Sequence, residues 1–209
     1  MSSDFRLAVI AAAVALLGGQ EKPEYTFGTT VVGTSGFEGA IHFIPAGTEW
    51  LPKLNPKKAV GKIYTTSLNV SPRRFDTGFP GITARFEWFA LDYTARFWIE
   101  HEGRYHFRLL SDDGAILSIN GKTFVDNDGI HPPESRIGSA EFSRGIHTVR
   151  VTYFQGPRTH VALVLDVSPP GGERYVLFDT NNFKPPADPS IWIQGKIRDV
   201  KKYERPFTR

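Results

Sequence analysis

Hydrophobic and polar residues alternate in short runs along most of this chain, and the runs end at clusters of Gly, Pro, Asn and Asp. HTVRVTYF, residues 147–154, shows the pattern most plainly: Val149, Val151 and Tyr153 fall on one face of an extended segment, with Arg150 and Thr152 on the other. Val161, Leu163, Leu165 and Val167 repeat it. Similar runs occupy 37–44, 61–70, 84–92, 95–100, 105–111, 115–119, 123–127, 136–142 and 174–178. No 3.6-residue period is sustained after the N-terminal twenty residues. The pattern predicts an all-β fold, an antiparallel β-sandwich or Greek-key barrel of about ten short strands, forming a single domain over 25–180. Asn120-Gly121 between two alternating runs predicts a two-residue type I′ hairpin, because that turn needs positive φ at both central positions. Gly103 and Gly145 punctuate strand starts in the same way.

The two ends depart from this pattern. RLAVIAAAVALLGGQ carries one Arg, an apolar run from Leu7 to Leu17 and then small residues, which predicts a signal peptide over 1–20. The run is too short to span a bilayer, which takes about 20 apolar residues, so no membrane span is expected in the mature chain. From 181 to 209 the alternation gives way to a Pro-containing, basic tail, semi-detached and with one possible strand. Between Lys184 and Arg209 it holds seven basic and three acidic residues, a charge of +4; with +3 for the whole chain, the remainder carries −1. That layout argues against a nucleic-acid-binding face spread over the core. The basic stretch from Lys53 to Arg74 reads as solvated surface.

The chain has no cysteine, which excludes disulfides, thiolate zinc sites and a cysteine nucleophile. It also has no G-x-S-x-G elbow, H-E-x-x-H, phosphate loop or G-x-G-x-x-G. Its six histidines are scattered, and DNDG at 126–129 is out of register with an EF-hand. His131 beside Asp126 and Asp128 could form a base with a carboxylate partner, although a loop histidine followed by two prolines reads as inert. The remaining candidate is SDDG at 111–114. Adjacent carboxylates in a tight bend repel unless something compensates them. One compensation is a calcium ion, which accepts six to eight oxygens at flexible angles; adjacent aspartates converge on one ion only if the peptide bond between them is unusual, as a cis bond is. The other is a loop whose own amides, with water, satisfy the carboxylates.

GRYHFRLLSDDGAILSINGKTFVDNDGIH, followed by GIHTVRVTYFQG, resembles the core of the protective-antigen-fourteen domain family: an aromatic strand, a Ser-Asp-Asp-Gly turn, an Asn-Gly hairpin, V-D-N, and a late G-x-H strand ending in Tyr-Phe. The motifs cover about 95–167 in the family's order. The resemblance implies a secreted, adhesin-type carbohydrate-binding β module. It further implies that Asp112 and Asp113, cis-linked, bind Ca²⁺, and that sugar hydroxyls complete the coordination. The position that the family fills with Asn is Gln155 here. The expected metal set is thus Asp112, Asp113 and Gln155, and the ligand-binding set adds Asp126, Asn127, Asp128, His131 and Arg158 from the rim loops.

Exposed aromatic rings give a second route to sugar, since apolar sugar faces stack on them; Trp50, Trp88, Trp98 and Trp192 are the candidates, with Trp98 expected in the core and Trp192 exposed. The expected function is a secreted or periplasmic, cell-surface, non-catalytic glycan or polysaccharide-binding module. The alternative is a structural or assembly module of the cell envelope whose basic tail, with Trp192, docks an envelope or extracellular protein.

Overall fold

A computed structural model describes residues 26–33, 36–74 and 85–203; the expected signal peptide lies outside them. The described residues form twelve strands: β1 Phe37–Phe43, β2 Gly61–Thr65, β3 Asn69–Arg74, β4 Phe89–Ile99, β5 Gly103–Asp112, β6 Ala115–Ile119, β7 Lys122–Asn127, β8 Glu134–Phe142, β9 Gly145–Gln155, β10 His160–Ser168, β11 Val176–Leu177 and β12 Ile197–Tyr203. They make two antiparallel sheets, in the orders β2-β1-β4-β9-β6-β7 and β11-β10-β5-β8-β12, with β3 also paired to β10. The arrangement is a sandwich and not a closed barrel.

The alternation seen in the sequence is the mechanism of assembly. Val149, Val151 and Tyr153 of β9 and Val161, Leu163, Leu165 and Val167 of β10 all point into the space between the sheets and are buried. At one end of this core, Phe rings from both sheets meet edge to face or tilted: Phe97 with Phe107 at 6.4 Å, Phe97 with Phe178 at 5.4 Å and Phe107 with Phe124 at 5.7 Å between centroids. Each such fully buried ring is worth about 2–3 kcal/mol of transfer free energy. Asn120 and Gly121 have φ of 49° and 76°, as the predicted hairpin requires.

Three strand readings change. The run 61–70 is two strands, because Thr65 Oγ1 donates to the Ser67 carbonyl and bends the chain from one sheet into the other. The runs at 84–92 and 95–100 join in the single strand β4, in which the polar interruption is absorbed by an Asp92–Arg150 pair at 2.7 and 2.8 Å on the outer face. The described part of the tail is not detached. Residues 197–203 pair with β8, and before them Ile146 of β9 donates to the Ile193 carbonyl and accepts from Gly195 N–H.

Gly195 is the tightest point of that attachment. Any Cβ there would overlap the ring of His147, which is buried, stacked on Phe97 and fixed by Ser143 and Asn120. We expect Gly195→Ala to lower stability by about 1–3 kcal/mol, read as a fall in the urea midpoint; an unchanged midpoint would show that 193–203 is loosely held.

Candidate ligand site at the sheet-crossing end

Three of the connections that carry the chain between the sheets lie together: β5 to β6 through 112–114, β7 to β8 through 128–133, and β9 to β10 through 156–159. Strand register places all three at the same end of the sandwich, since Ala115 pairs with both Asn127 and Tyr153, and Ala162 pairs with Asp112. The segments before β4 and after β1 reach the same end, because Phe89 pairs with Gln155 and Phe43 pairs with Phe89.

Asp112 and Asp113 form the first of these corners, and the peptide bond between them is cis. Both are nearly withdrawn from water, at 4% and 3% exposure. Asp113 is held by the other two crossings. Its Oδ2 accepts from Gly156 N–H at 2.7 Å and from Gln155 Nε2 at 3.4 Å, and its Oδ1 accepts from His131 N–H at 3.3 Å. Asp112 is held through its backbone instead: its carbonyl lies 2.7 Å from the Tyr153 hydroxyl, whose single proton is shared with Gln155 Oε1. Among the described residues, no hydrogen-bond donor reaches the Asp112 carboxylate. Burial, and then the charge of Asp113, push its pKa up to about 7, against a smaller opposing pull from His131. Burial also raises Asp113, and the amides of Gly156 and His131 partly offset the rise.

The other expected site residues fall around this corner with different roles. Asp128 accepts from Leu51 N–H at 2.9 and 3.1 Å and from Gly129 N–H at 2.8 Å, tying the loop after β1 to the β7–β8 crossing. Asn127 is turned inward: Nδ2 donates to Ser111 Oγ and to the Glu134 carbonyl, and Oδ1 accepts from Arg136. Asp126 is exposed and accepts from Asp128 N–H. The ring nitrogens of His131 face the carbonyls of Asn127 and Pro132. Arg158 is bound to Glu87, by its own N–H at 2.8 Å and by a looser ion pair. Gln155 is fully buried and, with its oxygen on Tyr153 and its nitrogen toward Asp113 and the His160 carbonyl, presents no oxygen to the pair in this orientation. Tyr153, Gly156 and Leu51 were missed by the sequence reading. A tyrosine at an inward position was the available signal for the first, because a buried hydroxyl needs a partner.

The tryptophans also separate. Trp98 is buried on the face of β4 opposite Phe97, under Arg144, with its N–H on Glu100. Trp192 is half-buried, donates to the Pro186 carbonyl and lies under Arg96. Trp88 packs into a small outer cluster with Ile44, Ala90 and Phe154, and Trp50 stands exposed.

Chemically, the corner offers hard oxygen donors in a low-dielectric setting. Among the described residues the Asp112 carboxylate has no donor, and Asp113 keeps lone pairs beyond those its amides use, so the pair fits a calcium ion. Among the described residues no group of three or more acidic or histidine side chains gathers at metal-ligand spacing, so these carboxylates leave most of such an ion's positions free.

A family model for the PA14 domain matches residues 67–181. Among solved structures, the PA14 domain of the MpAFP antifreeze protein is similar with a TM-score of 0.59 and 17% identity, over 70% of this chain and 88% of that one. The PA14 sugar-binding domain of an RTX adhesin gives 0.55 and 19%, over 71% and 97%. An anti-sigma factor domain-containing protein from Clostridium clariflavum gives 0.55 and 14%, over 73% of this chain and 48% of that one. At these identities the likeness is one of fold. No curated protein matches the chain in sequence.

The raised pKa of Asp112 has a definite sign in stability. A carboxyl that holds its proton more tightly when folded stabilises the protein below its unfolded pKa, near 3.8, and loses that contribution as pH rises toward 7. In metal-free protein, Asp112→Asn should therefore gain melting temperature relative to the wild type between pH 4 and pH 8. A difference that does not vary with pH would show that Asp112 is not desolvated as described.

Proposed function

Since the chain belongs to the PA14 domain family, we propose that it is a non-catalytic carbohydrate-binding module of an exported, cell-surface protein, in which Asp112 and Asp113 hold Ca²⁺ against a sugar diol. The observation that carries this reading is the Asp112 carboxylate: 4% exposed, beside a second buried carboxylate, and reached by no protein donor among the described residues. Leaving a charged group in that state costs several kcal/mol unless a counter-charge or a proton meets it. Calcium, when bound, supplies that charge together with positions open to hydroxyl oxygens.

The residues around the pair hold it ready. Gly156 and His131 amides fix the rotation of the Asp113 carboxylate, and the Tyr153 hydroxyl fixes the Asp112 backbone. Among the described residues, the groups other than carboxylates that meet the pair are hydrogen-bond donors, so an ion's remaining positions would be open to water or to a ligand's oxygens. A diol presents two at a fixed separation. The fold neighbour described as a sugar-binding domain of an RTX adhesin supports this reading, and so does the family, which the chain matches over its central strands.

The alternative of a tail-mediated assembly module is weakened by Trp192, which is engaged within the chain, and by β12, which is part of a sheet. Among the described residues no helix is long and apolar enough to cross a membrane.

Retention on a panel of immobilised monosaccharides and polysaccharides tests the function. We expect retention on at least one sugar in calcium, its loss in chelator, and at least about a tenfold weakening in Asp113→Asn without loss of the folded state. Retention that survives both chelator and the substitution would contradict a role for the pair.

A further inference from the structure

Trp50 is 63% exposed, the most exposed of the four tryptophans, and the backbone beside it is anchored. Its indole lies against Gly129: a Cβ on that glycine would stand 3.1 Å from Trp50 Cζ3. Gly129 is in turn against Gly114, where a Cβ would meet Gly129 N at 2.7 Å and Asp128 Oδ1 at 2.6 Å. Two residues without side chains therefore separate the indole from the Asp112-Asp113 corner. The next residue of the chain anchors the backbone beside the ring, since Leu51 N–H is gripped by both oxygens of Asp128. Half-buried Asp128 also caps Gly129 N–H, so a single carboxylate locks the tryptophan loop to the crossing whose His131 amide binds Asp113.

A second apolar residue also lies by the corner. Ile130 is exposed, and its Cγ1 is 3.6 Å from where a Cβ of Gly156 would stand, with Asp113 Oδ2 3.0 Å from the same point. The corner is thus bordered by an exposed indole, tied through Leu51 to Asp128, and by an exposed aliphatic side chain next in sequence to His131, whose amide binds Asp113. An exposed indole next to buried carboxylates sets an apolar surface beside a polar one. A pyranose offers the complementary surface: hydroxyls along one edge and a contiguous C–H face on the other.

Resting on the carbohydrate reading above, we propose that Trp50 is the stacking platform of this site and selects pyranosides that present a C–H face to the ring while their diol reaches Asp112 and Asp113. Gly129 and Gly114 are the spacers that bring platform and acids within one sugar's reach, and Asp128 is a positioning residue that acts through Leu51.

The test uses the full chain on immobilised methyl galactoside, glucoside, mannoside and fucoside in calcium, comparing wild type, Trp50→Ala, Trp50→Phe and Asp113→Asn. We expect Trp50→Ala to weaken retention about tenfold on the preferred sugar, Trp50→Phe to restore most of it, and Trp50→Ala to keep the wild-type melting temperature because the ring is largely exposed. Trp50→Ala bound as tightly as wild type, with Asp113→Asn not bound, would overturn the platform and leave the carbohydrate reading standing. Wild type retained by none of these sugars, nor by a wider polysaccharide panel, would overturn both.

Discussion

Two adjacent carboxylates withdrawn from water repel each other and lose their hydration, and the sheet-crossing end of this sandwich is arranged around that cost. Asp113 receives amides from two further crossings, Gly156 from one and His131 from the other. The Asp112 carbonyl receives the Tyr153 hydroxyl from the core side. What is left over is one carboxylate with no donor among the described residues, pushed to a pKa of about 7. The three crossings are thus coupled through a single pair of side chains, and a change in charge at the pair bears on all of them.

The same end is supported from outside the sandwich. The segment after β1 folds back over the outer face of the first sheet, where Leu51, Leu54 and Trp88 pack on Ile44, Ala90 and Phe154. Asp128 then ties this cover to the β7–β8 crossing. The opposite end is closed differently, by the Phe97, Phe107, Phe142 and Phe178 rings and by the strap at 193–195 over His147. At the site end the Phe27, Phe89 and Tyr153 rings also pack together, but beneath polar contacts that converge on the acid pair.

Strands with one face in the core were legible from alternation alone, and β9 and β10 are the clearest cases. The misread places are those where local chemistry overrides the period. Thr65 and Ser67 look strand-like by composition but spend their hydroxyl and backbone groups on a bend. Asp92 looks like a breaker but finds Arg150 on the neighbouring strand. β12 shows no alternation because it is an edge strand, described as exposed along most of its length, with Asp199 at φ 48° interrupting its register and reaching Arg104. In the site, adjacency in sequence revealed Asp112 and Asp113, whereas Trp50 could not be preferred over the other tryptophans: it is brought to the corner by the N–H of the next residue, Leu51, bonded to Asp128, 77 residues further along the chain. The orientation of Gln155 likewise depends on Tyr153, two residues earlier on the same face of β9.

The most direct measurement is calorimetric titration of calcium into chelator-treated protein, alongside the Asp112→Asn/Asp113→Asn double variant. Saturable heat with one ion per chain in the wild type, absent from the variant, is the result this account predicts. No heat in the wild type, or equal heat in both proteins, would contradict it and would leave the buried pair to be explained by protonation and by its own loop amides.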